Sequence, residues 1–552
     1  MRLARMGGSF QTRISFSRRL IRRMHQEKWR VERRLFDLDC DGFGKAIYVV
    51  KTTSCCYSLV CFSHHLDPKQ RTDRVIANAW DATFSLFQGI PRDIDINRLE
   101  AQTPRQEAGR FKSSELVLSR ANKSLRIFDS VVNSLAEGRQ PDPDSINKVG
   151  YLMRTTAVYA NGKFGMADRT TYADQLTLTD PFQAEMLTVY LIRGFTHDLV
   201  DHMASFRAPG RAVTLDRAIK RHLGVGNATG LGMAPFLISH PQLIHNWFFA
   251  RETGLSRIRS IGVVSPDHQN RFRELLVRAK QHIAEWVASD SEQNLRIASL
   301  LEDMNLLAKL TAEGAEIFNE PAPWDALVRQ AEGVISIEGQ ELLLSLLFEP
   351  YPELIDELAE GLQVDRELAF DPTVRVREMQ HLIEECYSWA LALDFSNPLE
   401  SHYFWYYSEE KEEPRRGVRR KEAGADKEIK IAVAQEIQLL YAALQKADGE
   451  NVMATFLASN TDLRHVARRV QIGAKYLYAE IQDNLIAHSC KPIDILRGKL
   501  AFFGASKFDP KSDLWTRITM YQGAPLNDEL DAPNADDWSF PIKPVVDNCT
   551  SP

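Results

Sequence analysis

The sequence predicts a mainly α protein, with a large multi-helix body and a small β-hairpin or sheet element near the N-terminus. Two observations carry this prediction. Helical periodicity of the apolar residues dominates from residue 114 to residue 503. Before it, residues 45–51 (KAIYVVK) and 56–62 (CYSLVCF) are rich in β-branched and aromatic side chains and stand four residues apart, which is typical of a β-hairpin.

Composition limits the class of protein. The chain has 552 residues, of which 44% are hydrophobic and 26% charged, so it can bury a large core. The 68 Lys and Arg against 74 Asp and Glu give a net charge of −6, which argues against a protein that coats nucleic acid with its whole surface. No apolar run approaches the ~20 residues that span a bilayer. Seven cysteines are too sparse for a disulfide framework, so we expect a cytoplasmic protein.

The N-terminal segment is strongly basic. Residues 1–34 contain eleven Lys or Arg against Glu27 and Glu32, and the first 26 residues contain no acid at all. An Arg- and Ser-rich start of this kind resembles a mitochondrial presequence. We favour an amphipathic helix over residues 1–37, because an apolar stripe that starts at Leu20 and Met24 continues to Leu35, past the place where a presequence would be cut. Contact of residues 1–34 with nucleic acid or an acidic membrane is a less favoured alternative.

The rest of the chain divides into four further regions. These are a small α+β element at 38–110, a first helical region at 111–318, a second helical region at 319–525, and an irregular acidic tail at 526–552. Capping residues and apolar spacing predict the main helices at 114–137, 145–159, 181–206, 214–224, 266–286, 291–312, 339–360 (broken by its two prolines), 372–393, 427–444 and 462–484.

The first candidate binding site is a glycine loop at 224–235 (GVGNATGLGMAP), between two predicted helices. Glycines allow a backbone to approach a ligand closely, and successive N–H groups can form a nest for an anion. We therefore predict that Gly226, Asn227 and Gly230 bind an anionic group. The spacing matches neither dinucleotide nor P-loop fingerprints, and the alternative is a tight turn between helices.

Two other segments offer cations to the same anion. Lys163 and Arg169 follow a predicted turn at Asn161-Gly162, and Arg415 and Arg416 follow the aromatic run HYFWYY within an aromatic and charged loop at 397–426. Arginine can hold a carboxylate or phosphate with two parallel hydrogen bonds. The alternatives are an ordinary turn and a solvated charged loop.

Histidines supply the candidate catalytic groups. His240 and His245 follow the glycine loop directly, and histidine titrates closest to neutral pH, so we expect one of them to act in acid–base catalysis. A further motif, His197-Asp198-Leu-Val-Asp201-His202, places its two histidines about 140° apart around a helix. It therefore differs from the His-Glu-x-x-His zinc motif, and we predict no metal site there.

Two functions of different classes remain open from the sequence. The favoured one is a cytoplasmic enzyme that acts on a small anionic metabolite, a carboxylate or phosphate, with the reaction type undetermined. The alternative is a non-catalytic helical interaction or scaffold protein that uses its basic N-terminal segment. No cofactor and no oligomeric state is indicated by the sequence.

Overall fold

The computed structural model divides the chain into two compact units. We call Met1–Gly8, Leu231–Thr253 and Ala359–Arg497 the helical unit, and Ser9–Gly230, Gly254–Leu358 and Gly498–Pro552 the sheet unit. The residues that the structure describes are 3–65, 67, 69, 80–103, 112–160, 163–164, 178, 180–230, 241–362, 370–396, 405–408, 413–416, 427–428, 434–476, 478, 492–512, 515–533 and 535–546.

The sheet unit is built on one large mixed β-sheet, so the prediction of a mainly α protein with a small hairpin is wrong. The fold is α+β, with 53% helix and 16% strand. The strand order is β1-β2-β3-β4-β5-β6-β8-β13-β12, and the two-residue strand β7 extends β6. The strands are β1 Arg30–Leu38, β2 Gly44–Lys51, β3 Cys56–Ser63, β4 Ala82–Gln88, β5 Glu115–Lys123, β6 Tyr151–Ala160, β7 Lys163–Phe164, β8 Gly224–Gly230, β12 Ala505–Ser512 and β13 Trp515–Met520.

Every pairing in this sheet is antiparallel except that of β6 with β8. Helices cover the sheet and form the helical unit. Their bounds are α1 Leu3–Gly8, α2 Phe16–Gln26, α3 Asp93–Gln102, α4 Phe128–Ala136, α5 Pro143–Val149, α6 Gln183–Arg207, α7 Arg217–His222, α8 Pro241–Arg259, α9 Pro266–Ala284, α10 Ser291–Leu310, α11 Pro323–Glu332, α12 Ile337–Phe348, α13 Pro352–Glu360, α14 Val376–Cys386, α15 Ser388–Leu391, α16 Ala434–Leu444, α17 Met453–Ser459, α18 Arg464–Ala474 and α19 Gly498–Phe503.

The predicted hairpin is present as β2 and β3, with Ile47 opposite Val60. Side chains alternate between the two faces of a strand. Ile47 and Val49 therefore pack on one face against Leu99 of α3, whereas Tyr48 points to the other face and reaches α6. The hairpin is thus covered on both faces, which makes it part of the core of the sheet unit.

Two strands of the large sheet, and β11 (Lys427–Glu428) of the helical unit, lie where the sequence predicts helices. Residues 114–137 contain β5 and α4, and residues 145–159 contain α5 and most of β6. Every residue of β5 is buried except Arg120, which is half-buried. A strand that is covered on both faces loses the alternation of apolar and polar residues that identifies strands in a sequence. Such a run cannot be distinguished from a buried helix by periodicity alone.

The longest helix, α6, is the main cover of one sheet face. It is 25 residues long and contacts β2, β5, β6 and β8, as well as α2 and α4. Eighteen of its residues are buried, so it is apolar around most of its circumference, as expected for a helix enclosed by other elements. Its start lies within two residues of the predicted one.

From Ser9 on, the basic N-terminal segment belongs to the sheet unit. The segment forms two short helices, α1 and α2; Leu20 and Met24 of α2 are buried, and the predicted continuation to Leu35 is instead the edge strand β1. The helix predicted over residues 1–37 is therefore shorter than expected. The stripe beyond α2 follows strand periodicity because β1 pairs with β2 along its whole length.

Arginines of this segment form a buried ion-pair network. The Arg18 guanidinium, fully buried, donates to both carboxylate oxygens of Glu349 at 3.2 and 3.0 Å and to Asp536 at 3.3 Å. Arg13 donates to both oxygens of Asp356 at 2.8 and 2.7 Å and also pairs with Asp536. Two-pronged contacts of this kind satisfy buried charges that would otherwise be costly. The network therefore ties the N-terminal segment to α12, α13 and the C-terminal tail.

The helical unit has its own core. Buried apolar side chains of α14, α16, α17 and α18 pack together, among them Ile383, Leu440 and Val466. A three-stranded antiparallel sheet of β9 Trp405–Ser408, β10 Glu413–Arg416 and β11 Lys427–Glu428, in the order β10-β9-β11, also belongs to this unit.

We expect Arg18→Met to lower the free energy of unfolding of the sheet unit by about 3–5 kcal/mol, because it leaves the buried Glu349 carboxylate without its main partner. Arg34→Met, at an exposed arginine of β1, is the matched control and should change the free energy by less than about 0.5 kcal/mol. Urea denaturation of both variants measures the difference. The double variant Arg18→Met/Glu349→Met should recover part of the loss. Equal effects of Arg18→Met and Arg34→Met would show that the network contributes nothing.

Candidate functional site

The first seven residues of the predicted glycine loop form a central β-strand, and residues 231–235 lie outside the described residues. Residues 224–230 form β8, parallel to β6 on one side and antiparallel to β13 on the other. Its backbone N–H groups therefore take part in the pairing of the sheet. The prediction that Gly226 and Gly230 lie in a loop whose N–H groups form an anion nest is wrong. The glycines have a packing role instead. A Cβ at Gly224 would lie 2.2 Å from the backbone oxygen of Met520.

Gly226 makes room for an aromatic ring. A Cβ at Gly226 would lie 2.9 Å from three atoms of the Tyr151 ring, closer than real Cβ contacts. The ring can therefore lie against β8 only because residue 226 has no side chain. The Tyr151 hydroxyl accepts a hydrogen bond from Arg126 at 2.9 Å. Through Tyr151, Gly226 fixes the position of a cation without binding a ligand itself.

Asn227 points to the opposite face of the sheet, since it is the next residue on the strand. Its amide nitrogen donates to Thr155 Oγ1 at 2.9 Å, and its Oδ1 accepts from Lys499 Nζ at 2.7 Å. Both polar ends of the predicted ligand-binding side chain thus bind protein groups. Burial lowers the pKa of Lys499 to about 7. Lys499 was not among the predicted site residues. The signal that could have pointed to it is its position as a single lysine in the apolar segment GKLAFF.

A small basic pocket lies on the Gly226 face of the sheet. Its volume is about 170 Å³, and Tyr151, Trp286 and Phe508 form aromatic parts of its wall. On β12 and β13, Lys507 is opposite Thr519, so both face it. We call this cavity the basic pocket. Its charged lining consists of five cations, Arg126, Lys148, Lys507, Lys511 and Arg517, and two carboxylates, Glu285 and Asp509.

Most of the positive charge of the basic pocket is not neutralised by neighbours. Lys511 pairs with Asp509 and also donates to Ser289 Oγ at 2.7 Å. Within the described part of the chain, Arg126, Lys148 and Lys507 form no salt bridge. The pocket therefore carries an excess of positive charge in a partly enclosed space, where charges are screened less than at the surface.

Lys507 is half-buried in the wall of the basic pocket. Its Nζ donates to the backbone oxygen of Asn147 at 2.5 Å. Burial lowers its pKa to about 8, while the nearby Glu285 carboxylate acts in the opposite direction. The amine therefore carries a proton at neutral pH and can lose it slightly above.

A buried histidine supports the aromatic wall. His282 Nδ1 lies 2.6 Å from the Pro541 oxygen, and its Nε2 lies 3.0 Å from the Ser506 oxygen and 3.2 Å from Trp286 Nε1. Burial, and next the charge of Lys507, lower the pKa of His282 to about 4. Burial likewise lowers the pKa of His222, whose Nε2 accepts from Gln522, to about 3.

The other predicted site residues are described only in part. Lys163 lies in β7, and Arg415 and Arg416 lie in β10 of the helical unit, opposite Tyr406 and Trp405, with their side chains outside the description. The expected aromatic and charged loop is thus partly a small sheet. Arg169 and His240 lie outside the described residues.

His245 is placed in the helical unit. Its Nδ1 accepts a hydrogen bond from the Tyr478 backbone N–H at 3.0 Å, and its ring stacks on those of Tyr478 and Phe249. Burial lowers its pKa. One ring nitrogen of the predicted catalytic histidine is therefore already occupied by the backbone.

The His-Asp motif of α6 binds protein groups. Asp198 accepts from the Tyr48 hydroxyl at 2.6 Å, Asp201 pairs with Lys220 at 2.7 Å, and His202 Nε2 lies 2.9 Å from the Asp39 oxygen. Among the described residues, no group of three His, Cys, Asp or Glu is arranged to hold a metal ion.

Comparison with known proteins gives no relative. No protein-family model matches the chain, and no curated protein or solved structure is significantly similar to it. In the part of the chain that the structure describes, no helix is both long enough and apolar enough to cross a membrane. Function is therefore argued from the geometry of the site.

The stability of the sheet unit should fall as the pH falls from about 6.5 to about 4. His282 stays neutral in the folded state and becomes protonated in the unfolded state over this range, so the unfolded state binds more protons. In His282→Gln, the free energy of unfolding should therefore fall less steeply with pH than in the wild type, by up to about 1.4 kcal/mol per pH unit. His381→Gln, at an exposed histidine, is the control. Urea denaturation across this range tests it, and parallel pH profiles of wild type and His282→Gln would contradict it.

Proposed function

We propose that the sheet unit binds a small anionic metabolite, a carboxylate or phosphate, in the basic pocket. The observation that supports this is the set of three cations, Arg126, Lys148 and Lys507, without a salt-bridge partner among the described residues around one cavity. Proteins that leave cations unneutralised in an enclosed space pay an electrostatic penalty, which a bound anion relieves.

Size favours a ligand group of a few heavy atoms. A volume of about 170 Å³ is below the ~300–1,000 Å³ of sites for drug-sized molecules, and each water molecule in liquid occupies ~30 Å³. A phosphate or a short carboxylic acid has the matching size. A nucleic acid would need a long basic groove rather than an enclosed cavity.

An enzymatic role, with the reaction type open, is part of the proposal and is favoured by Lys507. A group whose pKa lies close to the working pH is suited to acid–base catalysis, and the pKa of Lys507, lowered by burial, is about 8. It would take the place of His240 and His245 in the expected mechanism. Its amine lines the same cavity as Arg126 and Arg517, which would hold the anion.

The alternative remains a scaffold that uses its basic N-terminal segment, and the cations available for it among the described residues are the exposed ones. Arg13, Arg18 and Arg22 are buried. The exposed cations of the segment are Lys28, Arg30, Arg33 and Arg34. The expected cytoplasmic location stays a proposal, with a mitochondrial location as the alternative. It is favoured by the described cysteines, which are all thiols, including the adjacent Cys55 and Cys56, because thiols persist in a reducing compartment.

Inorganic phosphate, sulfate and citrate are the probes that test this proposal. At least one should raise the melting temperature of the wild type, because a ligand that binds only the folded state stabilises it. Lys507→Met and Arg126→Gln should each weaken its binding by about ten-fold to a hundred-fold in calorimetric titration, as expected for loss of a charge-assisted hydrogen bond. Lys51→Met, at an exposed lysine of β2, is the matched control.

Two results would contradict the proposal. One is that none of the three anions stabilises the wild type. The other is that the anion which does so binds the wild type, Lys507→Met and Arg126→Gln with the same affinity.

Gly226→Ala provides a test without a change of charge. The added Cβ should displace the Tyr151 ring and, with it, the Arg126 guanidinium, so the anion found above should bind several-fold more weakly. Ala228→Gly, two residues along the same face of β8, is the control for a change of backbone freedom. Unchanged anion affinity in a folded Gly226→Ala variant would show that Tyr151 does not position the pocket.

A further inference from the structure

A second cavity in the sheet unit differs from the basic pocket in its charge. It is a cleft of about 640 Å³ beside α6 and α7, and residues 526–528 form another part of its wall. This volume is in the range of small-molecule binding sites. We call it the α6 cleft. Its lining is mostly polar, and the α6 residues that face it include Gly194 and His197.

The cations of the α6 cleft already have hydrogen-bond or ion-pair partners within the protein. Lys220 pairs with Asp201 at 2.7 Å, and Arg217 pairs with Asp528 at 2.6 Å. The Arg193 guanidinium donates to five backbone oxygens, those of Lys220, Arg221, Leu223, Ala524 and Pro525, at 2.7–3.1 Å.

The acids of the cleft are occupied in the same way. Asp198 accepts from the Tyr48 hydroxyl and pairs with Arg33 at 3.1 Å, and Asp216 caps the N-terminus of α7 by accepting from the Ala218 and Ile219 N–H groups. Neither sign of charge is therefore in excess, so a charged ligand gains little in this cleft. A ligand that offers hydrogen bonds without charge fits it better.

Two polar side chains of the cleft are not used by the protein. His197 is 95% buried, with an exposed fraction of only 5%, yet it lines the cleft and its ring has no hydrogen-bond partner among the described residues. The carboxamide of Asn527 also has no hydrogen-bond partner among the described residues, although Asn527 is exposed. Its nitrogen lies close to Gly194, at 3.6 Å from the position that a Cβ of residue 194 would take. Both side chains line the cleft, so a ligand that enters it can supply the hydrogen-bond partner that the protein does not.

His197 is held in the form that suits a neutral ligand. Burial, followed by the charges of Arg193 and Lys220, holds the pKa of His197 well below its usual range. The neutral ring has one donor nitrogen and one acceptor nitrogen, and the Asn527 carboxamide also has both functions. A hydroxyl group is likewise both a donor and an acceptor, so it can satisfy either side chain.

We propose that the α6 cleft binds a neutral polyhydroxylated molecule, a sugar or cyclic polyol, whose hydroxyl groups bind His197 and Asn527. The apolar side chains of Val213, Leu215 and Leu526, which also line the cleft, contact the C–H face of the ring. This site is separate from the basic pocket, with which it shares no lining residue, and the proposal does not rest on anion binding.

D-glucose, D-ribose and myo-inositol are the probes, and saturation-transfer NMR followed by calorimetric titration measures their binding. At least one should bind the wild type. His197→Ala should weaken it about ten-fold, because a buried hydrogen bond is lost. Gly194→Leu should abolish it by filling the cleft, while the helix itself tolerates leucine better than glycine. His202→Ala, on α6 but outside the cleft, is the matched control and should leave binding unchanged.

The result that would overturn this proposal is that none of the three compounds binds the wild type, or that His197→Ala and Gly194→Leu bind as well as His202→Ala does. Gly194→Leu keeps every polar group of the cleft, so it decides the matter even if His197→Ala is unfolded. Phosphate, sulfate or citrate titrated into the same variants should show unchanged affinity, which separates this test from that of the basic pocket.

Discussion

The sheet unit depends on the two-sided pairing of β8. On one side β8 lies parallel to β6, and on the other Asn227 is opposite Ile518 of β13. This single short strand therefore joins the N-terminal strands to the C-terminal hairpin β12–β13. A parallel pairing requires a crossover connection, which α6 and α7 provide between β6 and β8. Both cavities follow from this arrangement: the basic pocket lies where β6 and β13 flank β8, and the α6 cleft lies beside the crossover helices.

The cations of the sheet unit serve two purposes. Arg13, Arg18 and Arg193 are buried, and their guanidinium groups bind carboxylates or backbone oxygens. Such groups stabilise the position of the segments they connect, at a desolvation cost that their partners offset. Arg126 and Lys507 are different, because within the described residues they have no carboxylate partner. This contrast, rather than the number of basic residues, is what points to an anion site, and it could not be seen in a net charge of −6.

The sequence predicted the local parts of the fold well. The β2–β3 hairpin and the helix α6 were found because their signals, β-branched alternation and helical apolar spacing, lie within a few residues of one another. The central strands β5 and β8 were missed for a physical reason. Strand β5 is buried except at Arg120 and shows no alternation, and β8 contains two glycines, Gly224 and Gly226, that allow close packing against Met520 and Tyr151.

The site was only partly predictable. Gly226 and Asn227 were predicted to bind a ligand, but their partners Tyr151, Thr155 and Lys499 come from distant parts of the chain. Pairings that join such separated segments leave no local pattern in a sequence. The same holds for the N-terminal arginines, because their pairing with Glu349 and Asp536 cannot be derived without the fold.

The account depends most directly on β8 being a buried strand rather than a glycine-rich loop. Amide hydrogen exchange of the full chain, followed by mass spectrometry of peptides that cover residues 224–230, measures this. If β8 is paired on both sides, the amides of Val225, Asn227 and Ala228 should exchange as slowly as those of β5, at the rate set by unfolding of the sheet unit. Exchange within seconds, as in an open loop, would contradict the strand pairing and, with it, the position of the basic pocket.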